Sequence, residues 1–284
     1  MRGYIRYAAF AMVCMVVAAC SLESVAYASS KDLTIAPLRS QRTVSAGDKT
    51  TGRFTLTNET DRPLDIELSV QQFSVKNYSY DYVFRNPDNK WLTFADDHVQ
   101  LQSKSSKAIN YTITVPADAA SGGYYFSMIA GTTVKGPGLP ITVQLGSLLY
   151  LTVDGTVTKS SQLEGANIAF LQTGRDIPYT FDVRGTGNTH LVADFFAQIG
   201  ESNKTVDSHF LLPGTVRQIE GSLRAPTWPG LYDVTYGYQA DYMANPVTKT
   251  VRILYVPLWS IALVSMVIFG GGILLSRRRR ARKD

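Results

Sequence analysis

The chain lacks cysteine beyond its first twenty residues: Cys14 and Cys20 are the only two, so residues 29–284 can form no disulfide and offer no thiolate. Small extracellular animal domains usually lean on disulfides. Their absence points to a bacterial surface and to domains that stand on hydrophobic cores. Histidine is scarce as well. His98, His190 and His209 are isolated, with no His-Glu-x-x-His and no acidic partner at metal spacing. No Gly-x-Ser-x-Gly occurs. Gly185-Thr186-Gly187 lacks the third glycine and the following helix of a dinucleotide loop. Asp96-Asp97 and the Asp81/Asp88 pair lack a calcium-loop pattern. No catalytic residue, metal ligand or cofactor is therefore assigned, and the chain reads as a non-enzyme.

The middle of the chain also lacks a charge excess. The formal net charge is +5, yet residues 29–255 hold twenty basic and twenty-one acidic side chains. The surplus sits at the ends, so no basic stripe remains to meet a phosphate backbone, and nucleic-acid binding is excluded. Sustained helical periodicity is missing between the termini too.

What is present is period-two alternation broken by turns. Thr51–Asn58 turns Phe54 and Leu56 one way and Arg53, Thr55 and Thr57 the other, and Leu64–Val70 alternates with acids outward. Further strands are expected at Trp91–Phe94, Val99–Leu101, Ile109–Val115 and Tyr124–Ile129, then in the long apolar-rich Ile141–Val153. Residues 154–165 are polar and read as a linker. The pattern restarts at Ile168–Phe170 and runs to Thr248–Tyr255. Phe54-Thr55-Leu56-Thr57-Asn58 and Leu64 recur as Phe181-Asp182-Val183-Arg184-Gly185 and Leu191. Val115-Pro116-Ala117 with Ser121-Gly122-Gly123-Tyr124 recurs as Ala225-Pro226-Thr227 with Pro229-Gly230-Leu231-Tyr232. In each copy a tyrosine enters a strand just after a glycine, where its ring can be buried while its hydroxyl finds backbone. The expected fold class is all-β: two tandem immunoglobulin-like β-sandwich domains, 29–155 and 156–255.

The termini carry the long apolar runs. Residues 1–28 read as a signal peptide, with Arg2 and Arg6 ahead of an apolar Tyr7–Ala19 and a small-x-small site at Ala26-Tyr27-Ala28. Lipidation at Cys20, within Val17-Ala18-Ala19-Cys20, is the rival to cleavage after Ala28. Residues 256–276 form an apolar stretch that as a helix would be about 31 Å long, enough for a transmembrane span. The basic tail at 277–284 follows, and Arg277, Arg278, Arg279, Arg280, Arg282 and Lys283 would set the topology by staying cytoplasmic. On this reading the chain is a single-pass protein of the cell membrane, in contact with the lipid bilayer through 256–276, its N-terminal domains extracellular.

Asn58-Glu59-Thr60, Trp91-Leu92, Val99-Gln100-Leu101 and Val115-Pro116-Ala117-Asp118 through Tyr124 resemble a broad class of bacterial immunoglobulin-like modules. The whole order of signal, two modules, one helix and a basic tail is similar to the WxL-interacting proteins of Gram-positive cell surfaces. That resemblance implies a peptidoglycan-binding first module and a partner-binding second one.

One stretch stands out for binding. In Asn77–Phe84, Tyr78, Tyr80, Tyr82 and Phe84 share one parity, so on a strand they would line one face, with Trp91 extending it. Read as a half-exposed stacking platform, these five residues are the candidate ligand-binding or partner-binding site. The function expected from sequence is a non-catalytic, membrane-anchored surface protein that binds a cell-wall polymer or a surface protein partner. The alternative is an accessory or scaffolding subunit of an envelope or secretion complex.

Overall fold

The computed structural model describes residues 32–134, 141–200 and 202–280. The signal segment 1–28, Cys20, the loop 136–140 and the end of the basic tail, including Arg282 and Lys283, lie outside these residues. The described chain folds into two pairs of β-sheets and one helix.

The first pair is built from β1 (Leu33–Ala36), β2 (Arg39–Val44), β3 (Lys49–Asn58), β4 (Leu64–Val75), β5 (Tyr82–Arg85), β6 (Leu92–Phe94), β7 (His98–Leu101), β8 (Ser106–Thr114), β9 (Gly122–Val134) and β10 (Ile141–Val153). One sheet has the order β1-β3-β8-β6; the other runs β2-β10-β9-β4-β5, with β7 also on β4. The chain changes sheets between β1 and β2, at Pro37, which has no N–H to give to either ladder. β2 then runs parallel to β10, and the other pairings here are antiparallel. The alternation read in the sequence holds: Phe54, Leu56, Leu64, Ile66 and Leu68 are buried, and they meet Ile109, Tyr111 and Ile113 of β8, Phe126 and Met128 of β9, and Leu149 and Leu151 of β10 in one core.

The second pair repeats the plan with β11 (Ser161–Asn167), β12 (Leu171–Gln172), β13 (Asp176–Gly185), β14 (Leu191–Ile199), β15 (Ser202–Leu211), β16 (Val216–Arg224), β17 (Gly230–Ala240) and β18 (Val247–Tyr255). The orders are β11-β13-β16 and β12-β18-β17-β14-β15. Here β12 is the parallel partner, on β18. The repeat extends to single atoms: the Tyr124 hydroxyl donates to the Ala120 carbonyl at 2.9 Å, and the Tyr232 hydroxyl to the Trp228 carbonyl at 3.0 Å.

The helix α1 (Leu258–Arg280) corrects the sequence reading of its region. No helix among the described residues is long and apolar enough to cross a membrane. The expected transmembrane span at 256–276 is therefore overturned, together with bilayer contact and single-pass membrane localisation. Of the basic residues read as setting topology, Arg277, Arg278, Arg279 and Arg280 fall at the end of α1, and Arg282 and Lys283 lie outside the described residues.

Candidate functional site

Two regions of the first sandwich could serve a partner: the ribbon singled out from sequence, and one edge of β10.

The ribbon does not form one face. Only Tyr82 and Phe84 lie on a strand, β5; Asn77–Asp81 is a tight turn in which Tyr78 and Tyr80 take left-handed φ values of 67° and 58°. That turn reaches the second sandwich and caps the open side of β16. The Tyr78 amide donates to the Val216 carbonyl at 2.8 Å, Asn77 Oδ1 accepts the Val216 amide at 2.9 Å, and the Tyr80 hydroxyl accepts the Leu212 amide at 2.9 Å. Tyr80 is buried, and burial pushes its phenol pKa up. The Arg217 guanidinium lies 4.0 Å from its ring centroid; burial lowers the pKa of Arg217, with Tyr80 opposing that shift. Tyr82 is half-buried, edge-on to Phe73 and with its hydroxyl 3.4 Å from that of Tyr150. Tyr78 and Phe84 are exposed. Trp91 sits apart, packed on Tyr124 with ring centroids 4.4 Å apart. Of the five, then, the structure brings Tyr82 and Phe84 together, uses Tyr80 to join the two sandwiches, and separates Trp91.

The aromatic packing continues across the junction. Tyr150 of the first sandwich, edge-on to Phe73, meets Phe210 and His190 of the second, Phe210 stacking on Tyr150 with centroids 4.1 Å apart. Phe73, Val75, Tyr80, Leu148 and Tyr150 belong to the same buried cluster as the core of the second sandwich. Beside it runs a polar cleft of about 300 Å³, lined among others by Gln41, Arg42, Asp154, Lys159 and His190.

The edge of β10 is the feature that sequence reasoning passed over. β9 pairs with β10 along its whole length, but β2 covers only Leu148–Val153. Residues 142–147 thus have one side without a strand among the described residues. The Leu148 amide donates to Leu38 on that side, so by the two-residue period Thr142, Gln144 and Gly146 present their N–H and C=O groups there. Val143 and Leu145 have the parity of Leu149 and Leu151, which are buried in the core, and Leu145 packs against that core. Natural sheet edges are usually protected by charge or proline. Ile141–Val153 contains neither. The corresponding strand β18 does: its Lys249 carries Nζ to the carbonyls of Leu163 and Glu164, at 3.2 and 3.1 Å. A charge-free run of thirteen residues was the available signal.

No family model matches the chain, and no curated protein matches it. Solved structures do. The class 5 fimbriae chaperone CfaA is 12% identical with a TM-score of 0.43, over 80% of this chain and 100% of that one. A chain of the Salmonella enterica SafA pilin–SafB chaperone complex is 13% identical at a TM-score of 0.40, over 77% of this chain and 96% of that one. The CupB2 chaperone of Pseudomonas aeruginosa is 7% identical at a TM-score of 0.40, over 76% of this chain and 98% of that one. The likeness is one of fold: all-β, with immunoglobulin-like domains. The resemblance to WxL-interacting proteins is corrected: the solved structures similar to this chain include fimbrial chaperones, and that likeness is in fold alone. The membrane-anchored surface function read from sequence is corrected by the lack, among the described residues, of a helix able to cross a membrane, and no observation here supports a cell-wall polymer as ligand.

Proposed function

We propose that the chain is a non-catalytic protein-binding molecule of the chaperone type, which takes up an extended segment of a protein partner along the open edge of β10. The observation that carries this is the unprotected backbone at Thr142, Gln144 and Gly146. An incoming strand would satisfy those groups, and main-chain hydrogen bonds would supply affinity. Val143 and Leu145 would supply selectivity, because they carry the core face of the sandwich past the end of β2 and can meet apolar residues of the partner. A strand added here would lie end to end with β2, on the same side of β10. The sandwiches 29–155 and 156–255 would act together, held by the Asn77–Asp81 turn. A second surface is proposed at Tyr78 and Phe84, because Phe84 stacks on Tyr82 with centroids 6.1 Å apart and leaves that stack open to solvent.

The test places a photo-crosslinking phenylalanine analogue at Val143, at Leu145 and, as a control on an outward sheet face, at Thr55, in the full chain expressed in its source cells. Adducts with one protein partner concentrated at 143 and 145, and mapping to an extended stretch of that partner, are the expected result. Equal labelling at Thr55 would remove β10 as the binding edge.

A further inference from the structure

We propose that His190 makes the junction between the two sandwiches acid-sensitive, so that the junction loosens as the imidazole takes up a proton.

The geometry is that of a ring closed in by both sandwiches. His190 is 4% exposed. Its Nε2 is 3.2 Å from Oε1 of Gln41 on β2, and its Nδ1 has no hydrogen-bond partner among the described residues. Tyr125 of β9, Tyr150 of β10 and Phe210 of β15 surround it, with centroids 5.7, 5.2 and 5.8 Å away. One residue earlier, the Thr189 hydroxyl bonds that of Thr152 at 3.0 Å, and two residues earlier the Asn188 carbonyl accepts the Gly123 amide. The segment bearing His190 is therefore part of the seam itself.

A proton on this ring would meet little to stabilise it. The charged groups around it are Arg39 and Arg42 on β2, Asp154 and Lys159 between the sandwiches, and Asp241 after β17. Arg42 and Lys159 repel an imidazolium. Asp241 is held by Lys159 at 2.5 Å, and Asp154 Oδ1 accepts the Gly155 amide. Tyr125 and Tyr150 are neutral phenols whose ionisation burial opposes. Burial above all, then Lys159, holds the His190 pKa down at about 4.

The sign follows from linkage. With the junction closed the ring titrates near 4, and with it open near the ordinary value of about 6.5. The open form therefore binds the proton more tightly. Closure is fully favoured above pH ~6.5, weakens as pH falls through that window, and has lost all it will lose below about 4. The ceiling on the effect is a rise of ~300-fold in the opening constant across the window.

Hydrogen exchange on the full chain tests this. Protection factors would be followed from pH 6.5 to 4 for amides that cross the seam (Gly123, Leu212, Val216) and for core amides (Leu56, Phe181). The expected result is a fall of one to two orders of magnitude at the seam with the core unchanged, and loss of that pH dependence in His190→Gln. A seam response that persists in His190→Gln, or a core that falls in parallel, overturns the proposal. Should that variant not fold, nuclear magnetic resonance of the unaltered chain decides. A ring midpoint near 4 with coupled shifts at Gln41 supports it; a midpoint near 6.5 overturns it.

Discussion

The Arg217 guanidinium covers the face of Tyr80 at 4.0 Å, and this contact joins β16 of the second sandwich to a turn of the first. Two further ties act at the same place: the Tyr80 hydroxyl accepts the Leu212 amide, and Arg217 Nη1 donates to the Phe210 carbonyl at 3.2 Å. Tyr80→Phe keeps the ring and strands a buried amide, so a loss of about 1–2 kcal/mol is expected. Arg217→Ala removes the charge above the ring as well as its stem. In a double-mutant cycle by denaturant unfolding, Tyr80→Leu and Arg217→Ala should couple by roughly 0.5–2 kcal/mol, the range for a partly desolvated cation over an aromatic face. Additive losses would mean that the stack contributes nothing of its own.

Gly187 lets two backbone segments touch. A Cβ there would lie 2.1 Å from the Thr158 carbonyl oxygen and 2.9 Å from the Ser160 amide, distances that real side chains do not tolerate. The contact is tight because the Gly187 amide donates to Ser160 and the Asn188 amide to Thr158, while Asn188 Oδ1 accepts the Thr158 amide. Gly187→Ala must therefore pry residues 158–160 away from 186–188, at a cost of about 2–4 kcal/mol. Gly165→Ala is the control, since nothing lies within 4 Å of its added carbon. Thermal melts of the two variants should separate clearly.

Both sandwiches were legible in the sequence because alternation at Phe54/Leu56 and at Phe181/Val183 answers to one physical demand, a strand with one dry face. The recurring tyrosines were legible for the same kind of reason: Tyr124 and Tyr232 each follow a glycine turn and return a hydroxyl to the backbone four residues earlier. The Tyr78–Phe84 ribbon misled because parity has meaning only on an extended chain. Left-handed backbone at Tyr78 and Tyr80 breaks that parity and swings Tyr80 across the junction. The edge of β10 was hidden for a topological reason. Ile141–Val153 announces a buried strand, but which of its two sides is covered depends on where β2 stops, and β2 lies a hundred residues away in the chain.

Asn58 is a buried polar hub. Its Nδ2 donates to the carbonyls of Arg62, Gln102 and Leu101 at 2.8, 2.9 and 3.2 Å, while Oδ1 accepts the Thr60 amide and hydroxyl. Although Asn58-Glu59-Thr60 has the form of a glycosylation triplet, this amide nitrogen is fully enclosed, and expression in a eukaryotic host should leave Asn58 unmodified by mass spectrometry. Asn58→Asp keeps the shape but turns a donor into an acceptor facing three carbonyls. A loss of about 3 kcal/mol or more at neutral pH is expected from denaturant titration. A change below about 1 kcal/mol would mean that the loops around it relax to free those carbonyls.

Tyr82 and Phe84 stack on one another, yet they should answer differently to truncation. Tyr82 closes the pocket formed by Phe73 and Tyr150, so Tyr82→Ala opens a cavity in the ring cluster and should cost about 3 kcal/mol. Phe84 lies 6.4 Å from Phe73 on the solvent side of the same stack and is 45% exposed, so Phe84→Ala should cost less than about 1 kcal/mol. The pair thus separates packing from recognition. If Phe84→Ala keeps the melting temperature and lowers the yield of partner adducts at Val143, the ribbon is a second contact surface. If the yield is unchanged, the rings of β5 serve the fold alone and recognition is confined to the open edge of β10.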